Sequence, residues 1–438
     1  MKGYGIRRRV EVVVIVDLCV FLISTYIALR AVTKIYHGRY SMLHFCVLIF
    51  FAMQVLPIFV SLFGKLDKIQ LYYEYMYYAM IDDSVAYIYD LFAIAGMLIL
   101  SYNADKLSKY SNVSVLSNFK LGAKRQYIVA MAAICMVLPL FGIILAPHPQ
   151  VYLKFSYFYM NEYSNTGVDY LYHRTIMKIL TYISFAGMMV FYYLAKRNKK
   201  LYTYLVLILV TWVNGKRTLM VFMIAGILVI DFLKWDKHSR RYINRLIWKA
   251  IFFGIIIVGY YLFYNDKTGK SNFADDYLLY ATYFSRMSNV KVSIYDLLNQ
   301  GKMLQYPCQT LLYNLLFFIP RVLWEGKPYP YYKYFTSYVY YGVSNKVVPN
   351  MQFQVNIWSE FISNMGIFGY VAALYLVIWI VKKSEKSSNS IIMLSGTVFA
   401  FLYMMYGFEH IIQITYVVWA VSSIWTFIRS KFKLVHGR

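Results

Sequence analysis

A few short stretches hold residues whose types and spacing could do chemistry, and most of them are cationic. Asn214-Gly215-Lys216-Arg217 lies between Leu201–Val213 and Leu219–Leu233, two apolar runs that are both short for a full membrane crossing. The turn is therefore expected below a membrane surface, where two cations need something negative beside them. Arg217 also opens the second run, and the free amides of a helix N-terminus favour an anion. A phosphate would suit both, and a plain turn of snorkelling cations at the headgroups remains open.

Ile319-Pro320-Arg321-Val322-Leu323-Trp324-Glu325-Gly326-Lys327-Pro328 reads as a rigid turn presenting Arg321 and Lys327, with Trp324 able to stack on a sugar face. The bland alternative is a loop resting on the membrane, its cations on lipid phosphates. Arg286, in Tyr283-Phe284-Ser285-Arg286-Met287-Ser288, is a third candidate for an anion, with a solvated charge as its alternative. Glu360 stands near the mouth of an apolar run, where burial would suit it to general-base work; a salt bridge to a loop cation is equally open. Weaker signals are Glu409-His410, in which His410 could share acid/base or binding work, and the acidic pairs Asp82-Asp83 and Asp275-Asp276. Tyrosines crowd residues 329–341, and Tyr331 and Tyr334 are candidates to line a carbohydrate groove. No Gly-rich nucleotide loop, metal-ligand cluster or Ser-His-Asp arrangement is visible, so no metal or cofactor is expected.

The elements that must position these residues are apolar. Of 438 residues 60% are hydrophobic and only 15% charged, with a mean hydropathy of +0.49, more apolar surface than a soluble domain could cover. The long unalternating runs predict an all-α polytopic integral membrane protein rather than a barrel. Eleven spans are expected, with ten to twelve as the range: Val10–Leu29, Met42–Phe63, Ser84–Ser101, Tyr127–Ala146, Thr175–Ala195, Leu201–Val213, Leu219–Leu233, Leu246–Phe263, Ile357–Val381, Ile391–Tyr406 and Ile411–Ile428. The chain then divides into an N-terminal bundle (1–263), one large extracytoplasmic loop with short helices (264–356) and C-terminal helices with a cytoplasmic tail (357–438).

The net charge of +25 reflects Lys and Arg in short loops between spans. That pattern marks the cytoplasmic face and anionic lipid, not a nucleic-acid surface. The N-terminus disagrees, because eleven spans place Lys2 and Arg7 to Arg9 outside; an extra span within Ile69–Met80 would repair this. The four cysteines, Cys19, Cys46, Cys135 and Cys308, have neither metal-ligand nor disulfide-motif spacing.

At residues 200–410 the chain resembles the O-antigen polymerase, or oligosaccharide repeat-unit polymerase, family of bacterial envelopes. The resemblance rests on Gly215-Lys216-Arg217 between two mid-chain spans and on the large loop 264–356. It rests also on Ile319-Pro320-Arg321 with Trp324 and Lys327-Pro328, and on Glu360 followed by Asn364, Gly366 and Gly369. It implies metal-independent glycosyl transfer on the outer face of the bacterial cytoplasmic membrane, polymerising undecaprenyl-diphosphate-linked oligosaccharides. Lys216, Arg217, Arg286 and Arg321 would face the diphosphate and Glu360 the acceptor hydroxyl. Membrane lipid, a chain-length regulator and a flippase would be the other partners. A lipid-linked glycan flippase or transporter, an O-antigen-ligase-like or polyprenyl-phosphate-sugar transferase, and a scaffold are the competing readings. A transporter would want charges inside several spans, and the sequence shows them mostly at span ends.

Overall fold

Long apolar runs without alternation fold as helices because a helix satisfies its own backbone in hydrocarbon. The computed structural model describes residues 2–64, 66–109, 125–155, 157, 167–214, 217–233, 240–267, 276–299, 303–343, 353–387, 390–408, 412 and 423, and no strand occurs among them. Seven of the described helices are long and apolar enough to cross a membrane: Val12–Tyr36, Met42–Ser61, Asp83–Ser108, Arg125–Ile144, Val168–Leu194, Arg241–Tyr260 and Ile357–Glu385. Met223–Phe232 and Gly396–Met405 are shorter apolar helices within runs expected as spans, and Ile411–Ile428 lies outside the described residues but for two positions. Ile69–Met80 supplies no extra span. It falls on two short helices separated at Tyr73, whose φ of −142° and ψ of 73° are not helical.

In chain order the first helices are α1 (Lys2–Tyr36), α2 (Met42–Phe50), α3 (Leu56–Ser61), α4 (Asp67–Tyr72), α5 (Glu74–Ile81) and α6 (Asp83–Ser108). Next come α7 (Arg125–Ile144), α8 (Val168–Tyr172), α9 (Lys178–Leu194), α10 (Leu201–Asn214), α11 (Arg217–Leu233) and α12 (Arg240–Lys267). The last are α13 (Asp276–Leu279), α14 (Met287–Leu298), α15 (Gln309–Leu315), α16 (Tyr331–Tyr341), α17 (Ile357–Glu385) and α18 (Ser390–Met405). Two compact units result, one of residues 1–113 with 274–438 and one of 114–273. Contacts thus cross the boundaries expected at 264 and 357.

In the first unit α1 packs on α6 and α2, and α14 packs on α17, α5 and α6. Helix α14 comes from the stretch expected as an outer loop, yet residues Met287 to Ile294 and Asp296 are all buried. Its polar side chains must therefore find partners. Ser288 donates to the Ala281 carbonyl (2.9 Å), Asn289 to that of Gln354 (2.6 Å), and Asp296 accepts from the Met303 amide (3.1 Å). Between α2 and α3 a π-turn, Phe51–Val55, widens the helix by a residue. Two of its carbonyls take tertiary donors: Met53 accepts from the Arg286 amide (3.2 Å) and Gln54 from the Tyr89 hydroxyl (2.6 Å).

The second unit gathers α7, α9, α10, α11 and α12 around Met188, Val210, Met223 and Ile227, all fully buried. An ion pair closes one part of it. Lys249 on α12 reaches Asp231 on α11 at 2.5 Å, and the Tyr192 hydroxyl donates to the same carboxylate at 2.7 Å.

Candidate active site

The site is built around the start of α17. Residues 353–356 belong to no helix, and Asn356, in extended conformation, caps α17 by accepting from the Ser359 amide at 2.8 Å. The helix then breaks at Gly366, whose φ of 61° and ψ of −141° are closed to other residues without strain. Past the break, Gly369 lies so close to the preceding turn that a Cβ there would stand 1.9 Å from the Phe361 carbonyl oxygen. The Asn-x-Gly-x-x-Gly spacing thus makes a sharp bend, and leaves Glu360 on a short segment before it.

Glu360 is fully buried. Its Oε1 accepts from the Thr310 hydroxyl (3.0 Å) and the Asn314 amide (2.7 Å), and its Oε2 from the Phe408 backbone N–H (3.1 Å). Asn364, one helical turn on, donates to the Glu360 carbonyl (2.6 Å) and to the Thr310 hydroxyl (2.7 Å), and accepts from the Thr310 amide (3.1 Å). The carboxylate therefore pins α15 and the segment after α18 to α17. No loop cation supplies those three donors.

Arg286 is 4% exposed at the N-terminus of α14. Its Nε donates to the Met405 carbonyl and its Nη2 to the Gln354 side-chain oxygen, both at 2.9 Å. Its own carbonyl accepts from the Asn356 side chain (3.3 Å). Burial pulls the guanidinium down to about 10, partly opposed by Tyr406. Arg286 and Glu360 thus hold the same short segment: one grips Met405, the other Phe408, and Asn356 ties the start of α17 to Arg286.

The other expected residues are placed differently. Arg321 turns its fork onto its own loop, with Nη1 to the Lys327 carbonyl (2.7 Å) and Nη2 to that of Pro328 (2.8 Å), while stacking on Tyr329 at 4.1 Å. Lys327 is buried and donates to the Phe317 and Ile319 carbonyls (2.7 and 2.6 Å). Both cations close the Pro320–Pro328 turn through carbonyls, Lys327 from a buried position and Arg321 from an exposed one. Trp324 is half-buried in that turn, whose exposed tip is Val322 and Leu323.

Tyr331 and Tyr334 do not line an open groove. Both are buried on the inner face of α16, the Tyr331 hydroxyl bonded to Ser293 and Ser363 (2.9 Å each) and that of Tyr334 accepting from Gln309 (3.0 Å). The physical reason is that α14 and α17 need polar partners inside the unit, and a tyrosine supplies a ring and a hydroxyl together. Lys216 and His410 lie outside the described residues; Arg217 is the first residue of α11, but its side chain is not among the described ones. Asp82 caps α6, accepting from the Val85 amide (3.0 Å), so its pairing with Asp83 needs no metal. Among the described residues no three His, Cys, Asp or Glu side chains gather as a metal site.

Two groups escaped the sequence reading. Asp17 on α1, Asp90 on α6 and Lys291 on α14 are buried together in the first unit, at 7%, 3% and 6% exposure. The signal was available, since both aspartates stand inside runs read as spans. In the second unit a cavity of about 600 Å³ is walled mainly by apolar side chains of α10, α11 and α12, with Lys249 on its lining. Its apolar lining suits a hydrocarbon chain.

Set beside known proteins, the chain matches no protein-family model, no curated protein and no solved structure.

Proposed function

We propose that the protein is a metal-independent membrane glycosyltransferase that polymerises undecaprenyl-diphosphate-linked oligosaccharide repeat units. It would work at the outer face of a bacterial cytoplasmic membrane, in a bundle of about eleven spans. The observation that carries this reading is that Arg286 and Glu360 hold the same short segment, the guanidinium at Met405 and the carboxylate at Phe408, within an apolar helical unit. A buried guanidinium beside neutral oxygens is prepared for an anion such as a diphosphate, and a carboxylate nearby can take a hydroxyl proton.

In that reaction the anomeric C–O bond to the diphosphate breaks and a new C–O bond forms to the acceptor hydroxyl. Its proton passes to Glu360, and undecaprenyl diphosphate leaves with the electron pair, its charge met by Arg286. The apolar cavity of the second unit supports a lipid-linked substrate. Arg321 and Lys327 shape a loop whose bare apolar tip, Val322 and Leu323, fits a lipid surface.

A second reading is favoured by one observation. Asp17 and Asp90 are charges buried inside spans, which a transporter of lipid-linked glycans would need. One experiment separates the two. Protein reconstituted in vesicles with a lipid-linked repeat unit should yield a ladder of longer lipid-linked glycans without added nucleotide or metal. Substrate crossing the membrane with no ladder formed would reverse the order of the readings.

A further inference from the structure

The interior of the first unit holds a group of charges that the polymerase reading does not use. Asp17 projects from α1, Asp90 from α6 and Lys291 from α14, all more than nine-tenths buried. The two carboxyl groups are close enough to act on each other directly, and Lys291 acts on both. Neither Asp90 oxygen has a hydrogen-bond partner among the described residues, nor does Oδ1 of Asp17. Lys291 lies over the Tyr89 ring at 5.4 Å, and the Tyr89 hydroxyl is already donated to Gln54 of the π-turn (2.6 Å to its carbonyl, 2.9 Å to its side chain). The Tyr89 hydroxyl is therefore not available to the carboxylates.

Two carboxylates and one ammonium leave one uncompensated negative charge, and an isolated charge in a low-dielectric interior is disfavoured by several kcal/mol or more. The titratable groups around Asp90 are Asp17 from α1, Lys291 from α14, its neighbour Tyr89, and, acting on Tyr89, Tyr280 and Tyr370 of α17. None of these adds a second positive charge. We propose that Asp17 and Asp90 together form a binding site for one monovalent cation, H+ or Na+, inside the helical bundle. The facing carboxylate oxygens would hold it between α1 and α6, with Lys291 fixing the site at a single cation. Binding would tie α1 to α6 and loss would drive the carboxylates apart, so occupancy sets how tightly these helices pack. The inference rests on neither functional reading, although the transporter reading draws on the same two aspartates.

The test uses the full-length protein in detergent. Its Tm is followed as sodium chloride replaces choline chloride at constant ionic strength, and again across pH without sodium. A sodium site raises Tm with sodium at fixed pH. A proton site leaves sodium without effect, raises Tm as pH falls, and gives a protonated-carboxyl C=O band in the infrared spectrum. Asp90→Asn removes the surplus negative charge at nearly constant shape, so it should abolish the sodium or pH response and the band. Asp17→Asn should do the same and serves if the first variant fails to fold. A wild type that shows neither a sodium response nor a protonated-carboxyl band overturns the proposal, whatever the variants do. So does an Asp90→Asn protein that keeps the full wild-type response.

Discussion

Glu360→Gln separates a catalytic carboxylate from a structural tether. The carboxylate accepts three hydrogen bonds, two on Oε1 and one on Oε2. A glutamine keeps the volume but turns one oxygen into a donor. With its amide oxygen toward Thr310 and Asn314, the –NH2 faces the Phe408 N–H, leaving a buried donor unmatched. Losing that bond and stranding the donor should destabilise the protein by about 1–3 kcal/mol. For a unit of this size that is a fall in Tm of roughly 2–10 °C, read by thermal unfolding in detergent. If Glu360 is also the base, the initial rate of ladder formation should fall by about 10²–10⁴-fold at a temperature where the variant is still folded. Thr310→Val is the control. It removes one of the same hydrogen bonds, should lower stability by about 1 kcal/mol, and should leave the rate nearly intact. A Glu360→Gln protein that loses stability but polymerises at the wild-type rate would refute the catalytic assignment and leave the carboxylate as a clamp.

Arg286→Lys should cut the ladder by about 10²-fold, because an ammonium cannot reproduce the two directed bonds from Nε and Nη2; single-turnover rates in vesicles would show it. Arg286 is held near 10, below its ordinary value, so activity that needs its charge should decline as pH rises through about 10. Over the same window its folding penalty should relax, since the unfolded chain then binds more protons; comparing wild type with Arg286→Gln isolates both effects. Arg321→Ala should leave chemistry in place but loosen the Pro320–Pro328 turn, seen as faster hydrogen exchange at Lys327 and Tyr329. Gly369→Ala should prevent normal folding, because the new Cβ would collide with backbone at Phe361, whereas Ala at Gly366, where space is open but the φ/ψ is almost exclusive to glycine, should destabilise by about 1–3 kcal/mol.

Helical class and membrane character were readable from the sequence because they depend on sums over long apolar runs, such as those holding Val12–Tyr36 and Asp83–Ser108. The break in α17 was not read, because Ile357–Val381 was expected as one uninterrupted span, although Gly366 and Gly369 are the residues that permit it. Sequence marked Arg286 and Glu360 as candidates, but not that they would share residues 405–408. That depends on α14 being drawn into the core, and Met287–Leu298 has the composition of a loop helix. Arg321 and Lys327 looked equally available, and only the fold could turn their donors inward to carbonyls a few residues away. Tyr331 and Tyr334 failed as groove residues for the same reason: a tyrosine's ring and hydroxyl fit a sugar or a polar core alike. The sequence by itself determined which segments are apolar, because that is a property of single residues and their neighbours. Tertiary structure alone decided which charges are satisfied and which, like Asp17 and Asp90, face each other across two helices, because a charge's partner is set by what packs against it.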